Sequence, residues 1–157
     1  ISALRDDILS LLEEEERLLS EKKSLFDRFM LSEIEKISCL NYGRIEKCLS
    51  MFAADNDLIA EIDSLDFHIK KIEQQIAGTI GVKPSEIGKF LSARKETVIK
   101  KVCSSKREIR VSASELAGMR EKTIGLLESA LGKTAAEIDG LQSLRKIKSS
   151  GILKKKL

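Results

Sequence analysis

The stretch Cys48–Ile76, CLSMFAADNDLIAEIDSLDFHIKKIEQQI, decides the fold because its apolar residues recur at alternating steps of three and four. The series is Cys48, Met51, Asp55, Leu58, Ile62, Leu65, Ile69, Ile72 and Ile76, and only Asp55 interrupts it. Such steps keep side chains on one face of an α-helix, as in the seam of a coiled coil. Phe52 and Ile59 widen this stripe, so we expect the helix to contact more than one partner helix.

A long helix is also predicted before this stretch, and a short connector after it. Residues 2–40 place Leu, Ile, Phe and Met at helical spacing, and Asn41–Gly43 supplies a turn. Gly78 and Gly81 end the second helix, and Pro84 opens a short helical segment, PSEIGKFL.

A third long helix is predicted from Ala93 to Leu144, with Ser92 as its N-cap. No run alternates apolar and polar residues as a strand would. The chain is therefore predicted to be all-α, an antiparallel bundle of three long helices (up-down-up) with a short connector helix and coiled-coil-like packing. Residues 1–144 form a single domain in this prediction, and residues 145–157 form a flexible basic tail.

The charge is divided unevenly between the halves of the chain. Residues 1–80 carry 10 basic and 17 acidic side chains, and residues 81–157 carry 18 basic and 8 acidic ones. The halves attract each other, which favours packing within the chain, although exposed ion pairs contribute little each. Nucleic-acid binding through the basic half is a weaker interpretation, because Phe90 is its only aromatic residue for stacking on bases.

Several patterns that suggest chemistry have simpler explanations. The run Glu13–Glu16 points in four directions around a helix, which predicts a solvated face and no convergent acid pair. The basic cluster Lys100, Lys101, Lys106, Arg107 and Arg110 is expected to be a solvated face or a counterpart of an acidic helix. No nucleophile with a base, convergent carboxylate pair or phosphate loop is present, so no enzyme activity is predicted.

The cysteines and the histidine do not predict a metal site. Cys39, Cys48, Cys103 and His68 lack the local spacing of a zinc site, so no metal or cofactor is expected. Cys48 and Cys103 are interpreted as small apolar residues near the seams, and His68 as a packing or surface residue. Three unpaired thiols and the lack of a membrane-spanning run favour a cytosolic protein without membrane insertion.

The late part of the third helix is the candidate site. At 1.5 Å per residue the three helices are about 58, 54 and 78 Å long, so the third is expected to extend past the others after about residue 130. The extension carries Leu131, Ile138, Leu141 and Leu144. A track of small residues runs along the same helix, at Gly118, Gly125, Ser129, Gly132 and Ala136. The segment either orders around a helical peptide or is a loose terminus.

Three segments of the chain carry a resemblance to a known family. They are LLEEEERLLSEKK near the start, YGRIEKCL with DNDLIAEIDSLDFHIKKIEQQI, and REKTIGLLESALGKTAAEI in the closing helix. In these segments the chain resembles the FlgN family of flagellar export chaperones. The resemblance implies that the late helix binds the C-terminal helices of hook-filament junction proteins of the FlgK and FlgL kind, with the export gate or export ATPase as further partners. The matching positions are Leu126, Leu127, Leu131 and Ile138, and Thr123 stands where the family often has Asn.

The sequence leaves two main functions open. The first is a cytosolic export chaperone, a monomer or weak homodimer, that binds through Leu126, Leu127, Leu131, Ile138 and Leu141. The second is a structural coiled-coil or stalk component of a secretion apparatus, in which the exposed seam pairs with itself.

Overall fold

The computed structural model describes residues 6–92, 94 and 96–148, with side chains up to residue 140. Its helices are α1, Asp6–Asn41, α2, Ile45–Ile80, α3, Ile87–Ser92, and α4, Thr97–Lys148, and a single 3₁₀ turn, Pro84–Glu86, precedes α3. No strand occurs in these residues. The predicted all-helical class is confirmed. α4 continues four residues beyond the predicted end, and positions 149–157 of the predicted tail lie outside the described residues.

Two glycines in the left-handed region make the turns. Gly43 has φ +73° between α1 and α2, and Gly81 has φ +86° at the end of α2. The Gly81 and Val82 amides both donate to the Ala77 carbonyl, at 2.8 and 3.0 Å, which closes the last turn of α2. Pro84 opens the connector as predicted, since its missing N–H is not needed in a first turn.

The predicted start of the third long helix is wrong. Ser92 is the last residue of α3, and its hydroxyl donates to the Lys89 carbonyl at 2.8 Å. α4 begins only at Thr97. The side chain of Ser92 bonds backward into its own helix, so it cannot serve as the N-cap of the next one.

Ion pairs between helices fix their relative directions. The pairs are Lys22–Asp66 and Lys36–Asp55 between α1 and α2, and Lys23–Glu108 and Arg120–Glu33 between α4 and α1. Residue numbers rise together in α1 and α4 and oppositely in α1 and α2. Therefore α2 is antiparallel to α1, and α4 runs in the same direction as α1.

α1 is the central helix. It packs along both α2 and α4, whereas the backbones of α2 and α4 stay apart along almost their whole length. A groove of about 700 Å³ lies between them, with Leu19 among its lining residues and Phe67 and Ile109 on its walls. The backbones of α2 and α4 therefore both lie against α1, while their side chains meet in the core and in the ion pairs Lys106–Glu73 and Arg120–Asp55.

The apolar core occupies one end of the molecule. Its buried members are Ile8, Leu12, Leu18 and Leu19 of α1, Ile69, Ile72, Ile76 and Ala77 of α2, Ile87 and Leu91 of α3, and Ile99, Val102 and Ile109 of α4. Complete burial of one such Leu or Ile side chain contributes about 1.5–3 kcal/mol. The first part of α4 is thus held firmly, and the short helix α3 closes the core at its end.

The register of α4 against α1 leaves a long extension. Arg120 contacts Glu33, which lies eight residues before the end of α1, and Asp55, which lies ten residues after the start of α2. α4 continues for 28 residues past Arg120. About 20 residues of α4, roughly 30 Å at 1.5 Å per residue, therefore extend past the end of α1.

Candidate partner-binding surface

Deep burial on α4 ends at Thr123. Ile99, Val102, Ile109 and Thr123 are buried, whereas no side chain from residue 124 to residue 140 is. Leu131 is 41% exposed in this part of the helix. By the Arg120 register α1 ends near the level of residue 128 and α2 begins near that of residue 130, so Ile124 and Leu127 lie at the edge of the bundle and the cover is lost completely only beyond it.

The face of α4 that packs on the bundle continues into the extension. Steps that keep to one side of the helix lead from Ile109 through Leu116 and Thr123 to Leu127. The same side then carries what we call the distal stripe, formed by Ile124, Leu127, Leu131, Thr134 and Ile138. The Thr134 hydroxyl donates to the Ala130 carbonyl at 3.0 Å, so its polar atom is satisfied within the helix. The distal stripe is thus an apolar surface that begins at the edge of the bundle with Ile124 and Leu127 and, from Leu131 onward, has no covering helix among the described residues.

Three of the five predicted site residues share this face. Leu127 and Ile138 are half-buried, Leu131 is exposed, and all three belong to the distal stripe. Leu126 is half-buried and lies about 60° around the helix from the buried Thr123, on the side of the packing face away from Leu131. The backbone of Leu141 is helical, and its side chain lies outside the described residues.

The track of small residues faces the other way. Gly125 is two residues from the buried Thr123 and therefore about 200° from it around the helix. A methyl group built on Gly118, Gly125 or Gly132 would meet no atom within 4 Å. The track is solvent-facing in the described structure, opposite the distal stripe, and no helix of this chain packs closely against it.

A group of four charged side chains, three of them buried and one partly exposed, marks the boundary between the core and the extension. This charge cluster consists of Glu33, Lys36, Asp55 and Arg120. The Lys36 ammonium pairs with Asp55 and lies 2.5 Å from Glu33 Oε1. Arg120 Nη1 lies 2.8 Å from Glu33 Oε1 and 2.7 Å from Asp55 Oδ2. Two positive and two negative groups therefore compensate each other where α1, α2 and α4 meet.

Two aromatic rings enclose the cations of the charge cluster. The Lys36 ammonium lies 5.4 Å from the centre of the Phe29 ring and 4.5 Å from that of Phe52, and the Arg120 guanidinium lies 5.1 and 4.8 Å from the same rings. Burial raises the pKa of Glu33, but hydrogen bonds from Lys36 and Arg120 outweigh it and hold that pKa below its ordinary value. Glu33 is therefore ionised at neutral pH.

The charge cluster was not predicted from the sequence. Asp55 interrupts an apolar seam, and that interruption was the available signal, since a buried carboxylate needs a cation. Which cation it meets depends on the register of three helices, and Arg120 is 65 residues away in the chain. The pairing therefore could not be derived from local spacing.

Glu15 contradicts the prediction that Glu13–Glu16 is a solvated face. Its side chain is buried against the core, and burial raises its pKa to about 7 despite the nearby ammonium of Lys106. Lys106 Nζ lies 3.4 Å from Glu15 and 2.6 Å from Glu73. Glu16 is half-buried and accepts a hydrogen bond from the Ser105 hydroxyl at 2.9 Å. Two members of the acidic run thus face α4.

The other predicted features are the basic cluster, the cysteines and His68. Lys106 confirms that part of the basic cluster is the counterpart of acidic helices. Cys48 is buried as expected, but Cys103 is exposed, since it lies about 100° around the helix from the buried Val102. His68 is exposed beside the Phe67 ring. No group of three or more potential metal ligands occurs among the residues that the structure describes.

No protein-family model, curated protein or solved structure matches this chain. In the described part of the chain, no helix combines the length and apolarity that a membrane span requires.

Proposed function

We propose that this protein is an export chaperone of the flagellar kind, which binds the C-terminal amphipathic helices of hook-filament junction proteins and keeps them export-competent in the cytosol. The observation that supports this function is the distal stripe, which continues the packing face of α4 beyond the helices that cover it. In this proposal the three long helices run up, down and up, and α4 presents the stripe to the client.

Burial of apolar area supplies the driving force for such binding. Each exposed Leu or Ile that a client helix covers completely contributes about 1.5–3 kcal/mol before the cost of ordering the partners. An amphipathic helix places its own apolar residues at the same steps of three and four, so it matches the stripe along its length. The same contact hides the apolar face of the client from other unfolded chains. No catalytic group is needed for this role.

Calorimetric titration with the C-terminal peptide of a hook-filament junction protein tests the function. We expect a dissociation constant in the low micromolar range, about −8 kcal/mol. Leu131→Glu should abolish binding and leave the melting temperature nearly unchanged, since this side chain is already partly in water.

Ala136→Glu is the matched control, because it adds the same carboxylate five residues away on the opposite, exposed face. It should bind the peptide like the unmodified protein. Absence of binding at tens of micromolar, or an equal loss in both variants, would contradict the function.

The alternative is a structural coiled-coil or stalk component that self-associates through the distal stripe. The alternating steps of three and four favour it, because two copies of such a stripe can pack as a coiled coil. Sedimentation separates the two functions, since a dimer that persists on dilution to the nanomolar range supports self-association.

A further inference from the structure

The charges that border the distal stripe are all acidic. In coiled-coil terms Ile124, Leu131 and Ile138 occupy the a positions, and Leu127 and Thr134 occupy the d positions. The neighbouring e and g positions then carry Glu121, Glu128 and Glu137, with Asp139 beside them. Lys122 and Lys133, the two basic residues between positions 121 and 140, occupy the outer f and c positions.

These carboxylates have no partner in the described structure. Glu121, Glu128, Glu137 and Asp139 are exposed, and none makes an ion pair or side-chain hydrogen bond with another described residue. By contrast, the buried carboxylates Glu33 of α1 and Asp55 of α2 are both paired with Arg120. An unpaired acidic border therefore runs along an uncovered apolar face.

The first half of α4 shows how its charged groups meet neighbouring helices. Lys106 and Arg120 meet the acidic groups Glu73, Glu33 and Asp55, and Glu108 meets Lys23 of α1. Each charge that α4 presents there meets a group of the opposite sign. By the same rule the distal half fits a helix with basic borders.

We propose that the distal stripe receives a partner helix whose apolar face is bordered by Lys or Arg, and that it discriminates against acidic helices. This inference rests on the proposed function and specifies the chemistry of its client. A second copy of α4 would bring Glu121, Glu128 and Glu137 against identical carboxylates, so the border also opposes pairing of the stripe with itself.

Three designed peptides test the inference. Each is a helix of about 18 residues with the same Leu and Ile at its a and d positions, long enough to span the stripe. Their e and g positions carry Lys, Gln or Glu. We expect the Lys peptide to bind about tenfold more tightly than the Gln peptide, and the Glu peptide more weakly than either, because each border pair contributes a few-fold.

Salt and charge reversal show whether the border causes the preference. Between 0.01 M and 1 M salt the Debye length falls from about 30 Å to about 3 Å, so the preference should largely disappear. The variant Glu121→Lys, Glu128→Lys, Glu137→Lys should prefer the Glu peptide. The control Lys122→Glu, Lys133→Glu, on the outer positions, should keep the original preference.

The outcomes separate this inference from the function on which it rests. Equal binding of the Lys and Glu peptides at low salt overturns the acidic border as a selector and leaves the client-binding function standing. If none of the three peptides binds, and the junction-protein peptide does not bind either, the distal stripe is not a helix-binding surface and both proposals are wrong.

Discussion

α4 contains two halves with similar spacing and different surroundings. Residues 97–123 lie against α1 and α2 and bury Ile99, Val102 and Ile109. Residues 124–140 repeat the apolar steps, yet none of their side chains is buried. The pattern of a helix thus predicts which face is apolar, whereas the lengths of the neighbouring helices decide which part of that face is covered.

The charge cluster lies where the two halves of α4 meet. A buried group of ions adds little net stability compared with apolar packing, but it is satisfied in only one register of the three helices. We therefore expect it to fix how far α4 extends past α1, and so the length of the uncovered distal stripe.

The largest effect is expected from breaking this cluster. Lys36→Met keeps most of the buried stem but removes the ammonium, so Glu33 and Asp55 share Arg120 alone. The loss should lower the free energy of unfolding in urea by about 3–5 kcal/mol, since it leaves buried charge without compensation. Lys47→Met, which removes an exposed ion pair, is the control and should change it by less than about 1 kcal/mol. Equal losses of unfolding free energy in Lys36→Met and Lys47→Met would mean that the ammonium of Lys36 is not buried.

A pH effect of up to about 3 kcal/mol is expected from Glu15. Its carboxyl loses its proton near pH 4.5 in the unfolded chain and only near pH 7 in the folded protein. Between these values the folded state binds more protons, so the free energy of unfolding should fall as pH rises through this window. Glu15→Gln should remove that fall and stabilise the protein at pH 8.

Glu13→Gln is the matched control, because Glu13 is the exposed neighbour of the same run. The free energy of unfolding of this variant, measured in urea at pH 5 and pH 8, should change with pH as it does in the unmodified protein. An unchanged profile in Glu15→Gln would show that this carboxyl is solvated when the protein is folded.

Much of the helical fold was predictable because it depends on neighbours in sequence. The steps from Cys48 to Ile76 predict α2, and Gly43 and Gly81 supply the positive φ that the turns require. Leu127, Leu131 and Ile138 were predicted as part of the site, and they share one face for the same reason.

What could not be predicted depends on contacts between distant segments. The burial of Glu15 is decided by α2 and α4, whose Glu73 and Lys106 face it, and not by its own acidic run. The central position of α1, between α2 and α4, is also not marked by any pattern in its own sequence.

The smallest effect concerns the glycines opposite the distal stripe. Glycine weakens a helix by roughly 0.5–1 kcal/mol relative to Ala, and a methyl group on Gly125 or Gly132 would meet no neighbouring atom. Gly125→Ala with Gly132→Ala should therefore slow amide hydrogen exchange in residues 124–140 by about tenfold and leave global unfolding nearly unchanged. Gly78→Ala, on an equally open surface of α2, is the control and should leave exchange in α4 as it was. Faster exchange in the double variant would show that another surface packs on the glycine face. Slower exchange together with tighter client binding would show that ordering of the distal half limits the affinity.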